Sequence, residues 1–430
     1  MKHLLSLLIL IPSLINALSI DEAIQKTIET NPQIEVKRGE LNTEKELLTT
    51  AKSDYLPTID ITYSVGPEST KTIGNLREKV STNRQDFSAT LNQNIFSGFD
   101  TKHKVAQQEA LILSASDSVQ DSANSIALEA ATAYIDILRS KELLDIAQTN
   151  VDVHKKYLDQ IKEKADAGVG RASDYKQTLS RYENAQSTFF LTEQNYQNSL
   201  TSFKRIVDLD VKAQDLLKPT VGELPAQSLE ELIVLSMENN PTINVSHADI
   251  KYAEAVLSRS NAAFYPKADI RAQSYWNKNL NGFEKPAKDF VEENGYNVLL
   301  VLSYNIFNGL ADSSNKEANR QRVLVKNSSL ADAKRFITAS TTIAWQTFKS
   351  TEMQLVHIDR NIEASAQTVA DYQEENDLGR RSIVDLLNIE LEFNAAKNRK
   401  VTAEYDRLAS YYQMLTHSGK MLEAMNIAIK

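Results

Sequence analysis

No cysteine occurs among the 430 residues. That excludes disulfides and thiolate metal sites, and it removes the lipidated N-terminal cysteine of a bacterial lipoprotein. Beyond the first residues there is no hydrophobic run of the roughly 20 residues a spanning helix needs. The six histidines (His3, His103, His154, His247, His357 and His417) include no pair at i,i+4 and no HExxH arrangement. Walker A, dinucleotide-fingerprint and GxSxG motifs are also absent, so no catalytic, cofactor-binding or metal-binding residues are expected and the chain reads as a non-enzyme. Acidic residues outnumber basic ones, 57 Asp+Glu against 48 Lys+Arg, which argues against a nucleic-acid surface. Aromatics are few, at 7%. Helices this rich in Ala, Ser, Asn and Gln have thin apolar stripes, which suit slender packed tubes.

What is present is a duplication. Ser19 to Pro32 reads SIDEAIQKTIETNP, and Ser228 to Pro241 reads SLEELIVLSMENNP. Asn94-Ile95-Phe96-Ser97-Gly98 returns as Asn305-Ile306-Phe307-Asn308-Gly309. Solenoid repeats run about 20–50 residues. A spacing of about 210 residues is instead a duplicated half-protein.

Residues 1–17 read as a signal peptide cut after Ala17: a basic start at Lys2, an apolar stretch from Leu4 to Ile15, then a small residue. The alternative, a membrane anchor, has too short an apolar run. Residues 18–209 form a first repeat, 210–227 a linker, 228–416 a second repeat and 417–430 a C-terminal tail. Within the first repeat, Ser19 with Glu22 has capping-box spacing, and Asn31-Pro32 stops the helix. A second helix covers about 33–54.

The period then changes. Ile59, Ile61, Tyr63 and Val65 alternate with Asp60, Thr62 and Ser64, the pattern of a strand with one apolar face. Strands are expected at about 57–66 and 84–96, and again at about 266–276 and 295–307, with polar loops between. On the last strand the second face is less polar, with Leu299 and Val301 beside Asn297 and Ser303. Tyr63, Tyr275, Trp276, Tyr296 and Tyr304 suit an interfacial aromatic belt or are ordinary strand aromatics.

Long helical hairpins follow, at about 99–208 and 310–416. In the first, Val105, Ile112, Val119, Ile126 and Ala133 are seven apart, and the stripe then steps by four to Ile137. In the second, Val323, Leu330, Ile337 and Ala344 step by four to Phe348. The same four-residue insertion in both halves changes the local winding. Each first arm spans roughly 65 proline-free residues, on the order of 100 Å at ~1.5 Å per residue. Breaks fall at Gly168-Val169-Gly170 and Leu378-Gly379-Arg380.

Four strands of about ten residues have the length to cross a bilayer at a tilt, and in lipid a sheet must close. Four are too few. Two chains give eight strands and three give twelve; a polar channel beside long helices favours three.

In this set and order, the sequence resembles the TolC family of outer-membrane export channels. The resemblance rests on Asn31-Pro32 and Asn240-Pro241, on Tyr55-Leu56-Pro57 and Phe264-Tyr265-Pro266 before the strands, on the Ile-Phe-Ser/Asn-Gly helix entries, and on the tips at Gly168 and Gly379. It implies an α+β membrane protein of a Gram-negative bacterium: a homotrimer with a twelve-stranded outer-membrane β-barrel, four strands per chain, continuing into a long periplasmic α-helical barrel. It implies docking on a periplasmic adaptor protein, itself joined to an inner-membrane ABC transporter or a proton-driven pump. The duct would sit among outer-membrane lipids and pass an exported protein or small molecules; the best-matched branch looks like type I protein secretion, with drug efflux close behind.

The resemblance also implies a periplasmic gate. Arg381 matches the gate arginine, and Asp174 matches its aspartate partner on the neighbouring hairpin. Asp385 matches the first position of an acidic ring. Asn388 stands at the second ring position and Asn376 at the gate tyrosine position, so the ring carries one charge fewer per chain. Arg171, Arg380 and Arg381 crowd the tips with Gly168, Gly170 and Gly379, and suit adaptor contact. Plain helix-surface charge near a turn is the alternative for Asp385 and Arg381. A periplasmic adaptor, a coiled-coil surface protein and a diffusion porin are rival classes; each lacks either the paired hairpins or the four matched strands.

Overall fold

The computed structural model describes residues 17–71, 79–168, 171–280 and 291–427. The predicted signal peptide, apart from Ala17, lies outside them, as do Gly170 and most of the second strand loop. The chain divides into two compact units. One comprises the described residues up to Lys37 with Ser118–Ile243 and Ala333 onwards; the other comprises Arg38–Asp117 and Asn244–Asp332.

In the first unit, α1 (Ile20–Thr30) is capped by Ser19, whose hydroxyl accepts the Glu22 N–H while the Glu22 carboxylate accepts the Ser19 N–H. That is the reciprocal capping box expected. Asn31 ends α1, and its side chain accepts the N–H of Gln33 at the start of α2 (Pro32–Ser53). Asn240 does the same between α5 (Leu229–Asn239) and α6 (Pro241–Arg259), accepting from Thr242. Each Asn-Pro pair therefore stops one helix and starts the next, with Pro in the first helical position where its missing N–H costs nothing.

The core of this unit collects α1, α5 and sections of the long helices α3 (Asp100–Asp166), α4 (Ala172–Val207), α7 (Ala311–Asp377) and α8 (Ile383–His417). Ala123, Ala127, Ala130 and Ala131 of α3 are fully buried. Small residues at helical spacing let neighbouring backbones approach closely. Ile24, Phe203, Leu232, Tyr405 and Met414 fill the remaining space. The Tyr134 hydroxyl lies 2.6 Å from the carbonyl of Leu18 and 2.7 Å from that of Leu217, so one buried group ties the start of the repeat to the linker. The C-terminal stretch is docked rather than frayed: Met421 of α9 (Met421–Ala424) is fully buried in this core. Every residue of the two predicted stripes is buried or half-buried, including Val119, Ile126 and Ile137 on α3 and Ile337, Ala344 and Phe348 on α7.

The second unit holds one antiparallel sheet in sequence order: β1 (Thr58–Lys71), β2 (Lys79–Phe96), β3 (Lys267–Leu280) and β4 (Val291–Ser303). Opposed residues share a face. One row runs Ile59, Leu91, Ala272, Val298, and the adjacent row on the other face runs Asp60, Thr90, Gln273, Asn297. The apolar face is open, with Ile61 at 70%, Val298 at 65% and Leu302 at 71% exposure.

The strands depart from expectation in three ways. The stretch 68–83, read as loop, is paired as far as Lys71 and again from Lys79, because ladder hydrogen bonds need no apolar side chains. The second hairpin likewise extends to Leu280 and resumes at Val291. In contrast, β4 stops at Ser303, four residues early. The Asn305 side chain accepts the Phe307 N–H, turning the chain before α7, and an edge strand has only one neighbour to hold it straight. Tyr275, two residues on from Gln273 and opposite Gly295, lies on the polar face. Its ring covers that glycine: a Cβ there would fall 2.7 Å from the Tyr275 hydroxyl.

Candidate functional site

The two hairpin tips end by the same device and restart differently. After α3, Gly168 adopts φ 77° and its N–H reaches the Ala165 carbonyl. After α7, Gly379 adopts φ 71°, its N–H reaches the Asn376 carbonyl, and the Arg380 N–H reaches back to the Glu375 carbonyl. The second pattern is a Schellman stop, which needs a left-handed residue and takes glycine for it. On the return, α8 begins with Ser382 as a true cap: its hydroxyl accepts the Asp385 N–H at 3.1 Å and donates to the Asp385 carboxylate at 2.6 Å. The equivalent position before α4 is Arg171, which makes no side-chain cap.

The second tip gathers three of the predicted residues. Arg381 donates from Nε to Glu375 at 2.7 Å, and its guanidinium stacks 3.8 Å from the centre of the Tyr372 ring. The Asn376 amide donates to the Arg381 carbonyl at 2.7 Å. Asp385 stands one turn along, bonded to Ser382. Asn388 lies apart from this group and accepts from Arg181 Nη2 of α4 at 2.7 Å. Asp174 accepts from Ser173, its own neighbour, at 3.2 Å, and is not brought to Arg381 within the chain. Arg171, Arg380 and Gly168 are exposed at the turns.

Sequence reasoning missed Glu375, Tyr372 and Arg181. A Schellman stop folds the residues after the glycine back over the last helical turn, so an arginine two residues past Gly379 meets a carboxylate six residues earlier. That signal was available in the glycine.

Beneath the second tip a small apolar cluster joins α3 to α8: Tyr157, Ile161, Ile383, Leu386 and Leu387 are all buried. The Tyr157 hydroxyl donates to Gln373 of α7 at 2.5 Å, and burial pushes its pKa up to about 12. Further from the tip, the packing face of α8 turns polar. Glu390 is 8% exposed, and burial raises its carboxyl pKa against the opposing pull of Lys397 and Lys156. Asn394 donates to Asn150 of α3 at 2.9 Å. His154 is 1% exposed, its Nδ1 lacks a partner, and burial followed by the Arg181 charge lowers its pKa.

None of this is a catalytic constellation. Among the described residues no group of His, Asp and Glu could hold a metal ion, and no helix is long and apolar enough to cross a membrane. A four-stranded sheet with an exposed apolar face, joined in each half to a long helical hairpin, defines instead a channel protein of the outer membrane. The chain belongs to the outer membrane efflux protein family, whose model matches residues 23–207 and 232–420, one segment in each repeat. It is 20% identical to the outer membrane efflux protein BepC of Brucella suis, over 93% of this chain and 85% of that protein. It is 20% identical to the outer membrane protein TolC of Escherichia coli, over 100% and 89%, and 19% identical to the proteases secretion protein PrtF of Dickeya chrysanthemi, over 60% and 58%. Among solved structures, the CmeC outer membrane channel of Campylobacter jejuni superposes with a TM-score of 0.82 at 12% identity, covering 94% of this chain and 86% of that one.

Proposed function

We propose that three copies of this chain form a passive exit duct through the outer membrane for a tripartite export system. The observation that carries the reading is the sheet itself. Its outer strands β1 and β4 each have one partner among the described residues, and its apolar face is uncovered. In lipid such edges must be paired, so β4 of one copy meets β1 of the next until the ring closes. Twelve strands leave room for an aqueous passage, whereas eight are largely filled by their own side chains. The helical hairpins then extend into the periplasm and meet an adaptor protein, and an inner-membrane ABC transporter supplies the energy. The exported substrate is a polypeptide, as the name of PrtF suggests for that relative. A second reading, small-molecule efflux through a proton-driven pump, is favoured by the family description and the name of BepC.

The tips act as the aperture. Arg381, held on its own hairpin by Glu375 and Tyr372, bonds Asp174 of a neighbouring hairpin when the duct is closed. Three copies of Asp385 around one axis focus a negative potential that draws cations. Single-channel recording of the purified protein in a planar bilayer tests this: Arg381→Ala and Asp174→Ala each raise the conductance of the resting channel. Unchanged conductance in both removes the gate assignment. Gentle isolation of the intact complex from membranes identifies the partner: an ABC transporter supports secretion, and a proton-driven pump supports efflux.

A further inference from the structure

The bond between Asn150 of α3 and Asn394 of α8 sets the register of two antiparallel arms. One turn nearer the tip, four residues on in α3 and four back in α8, stand His154 and Glu390. One turn further come Tyr157, Leu386 and Leu387 of the apolar cluster. His154 therefore sits in a buried polar layer between that cluster and the Asn150–Asn394 bond. It is 1% exposed, and its Nδ1 has no partner among the described residues. Each packed element brings charge to this layer. From α4, Arg181 acts on His154; it is held to Asn388 through Nη2, and its Nη1 is buried without a partner. From α8 come Glu390 and Lys397, and from α3 Lys156, both lysines acting on Glu390. From α7, Asp377 acts on Tyr157, nearer the tip. Within the layer three cations stand against the one carboxylate of Glu390. A proton added to His154 finds no spare counter-charge there, and a buried charge without one is costly.

We infer that His154 is an acid-sensitive joint between the first hairpin and α8: neutral, it lets the layer close, and protonated, it drives the arms apart and loosens the tips below. The consequence for transport rests on the proposed aperture, because the loosened tips carry Arg381 and Asp385. Burial and the Arg181 charge hold the imidazole below its ordinary pKa. The closed layer thus binds the proton less tightly than an open, wet one. The joint keeps its full stability above the ordinary histidine range and loses it as pH falls through that range. At pH 5.0 a histidine of pKa about 6.5 favours its charged form by about thirtyfold, which bounds the effect.

The test is amide hydrogen exchange of the purified protein in detergent, compared as protection factors so that the intrinsic pH dependence of exchange drops out. From pH 7.5 to 5.0, protection along residues 383–394 and around His154 should fall by tenfold or more, up to about thirtyfold. His154→Gln, whose side chain takes no proton, should lose that fall. Arg181→Gln, which keeps an amide donor for Asn388, should weaken it, and serves should His154→Gln not fold. Glu390 takes up its proton in every variant and cancels from the comparison. Single-channel conductance at the same two pH values reads the aperture separately. A rise in acid that His154→Gln abolishes supports both the joint and the aperture; lost protection without a rise supports the joint and overturns the aperture reading. Wild-type protection that does not fall in acid, or a fall of equal size in wild type and both variants, overturns the inference.

Discussion

Leu387→Ala separates the tip of the second hairpin from the rest of the molecule energetically. Leu387 is fully buried, and among the described residues Tyr157, Ile161, Ile383 and Leu386 share its cluster as buried partners. Truncating a buried leucine costs about 3 kcal/mol when the surroundings close only partly. The cluster is confined to the tip, so the loss falls on local opening rather than on the whole fold. A 3 kcal/mol loss multiplies the open population by on the order of 10². Amide hydrogen exchange should show residues 383–390 accelerating by about that factor, while those around Tyr405 and Met414 keep their wild-type protection. Ser382→Ala provides a graded control: it removes the cap on α8, and caps contribute about 1 kcal/mol. Uniform acceleration along all of α8 would refute the reasoning, because it would mean the tip does not open independently.

Two further outcomes are expected. Gly98 and Gly309 occupy matched helix entries with φ 67° and 55°, but a Cβ at Gly98 would lie 2.7 Å from the Ala262 carbonyl oxygen, while nothing stands within 4 Å at Gly309. Gly98→Ala therefore suffers both left-handed strain and a clash, and Gly309→Ala only the strain of about 1–2 kcal/mol. Thermal unfolding in detergent should rank Gly98→Ala well below Gly309→Ala; equal midpoints would contradict the clash. Glu390 has a raised carboxyl pKa from burial. The folded state thus holds its proton more tightly than the unfolded chain, so its contribution is present below the ordinary carboxylate range and is lost as pH rises through it. Glu390→Gln should remove that loss and raise the melting midpoint at pH 7.5 relative to wild type, with little difference at pH 4; a lower midpoint at pH 7.5 would show that the charge is compensated.

Much of the architecture was legible because it is written twice. The capping box at Ser19 and Glu22, the Asn-Pro junctions, and the stripes with their shared step of four are local patterns with one physical meaning each, and the structure realises them. What escaped depended on partners far along the chain or on hydrogen bonds that composition does not report. Polar strand arms past Val65 looked like loop because periodicity records side-chain burial, whereas the ladder needs only backbone. That the Tyr275 ring lies over Gly295 depends on cross-strand register, which cannot be inferred from one strand. At the tips, Arg381 and Asp385 stood out by resemblance, but Glu375 and Tyr372 became relevant only when the Schellman turn folded the chain back on itself. The two halves are also less alike at the tips than along the helices: Ser382 caps α8, while Arg171 leaves α4 without a side-chain cap.

The central claim is that β4 of one copy pairs with β1 of another until three copies close the ring. The absence of native cysteine makes the test clean. Single cysteines placed along β1 from 58 to 66, each combined with one along β4 from 296 to 302, are oxidised in intact outer membranes and separated under denaturing, non-reducing conditions. The account predicts that in-register pairs give covalent dimers and trimers, with the ladder stopping at three and collapsing on reduction. A ladder that stops at two or continues past three, or crosslinks formed only within single chains, would contradict it.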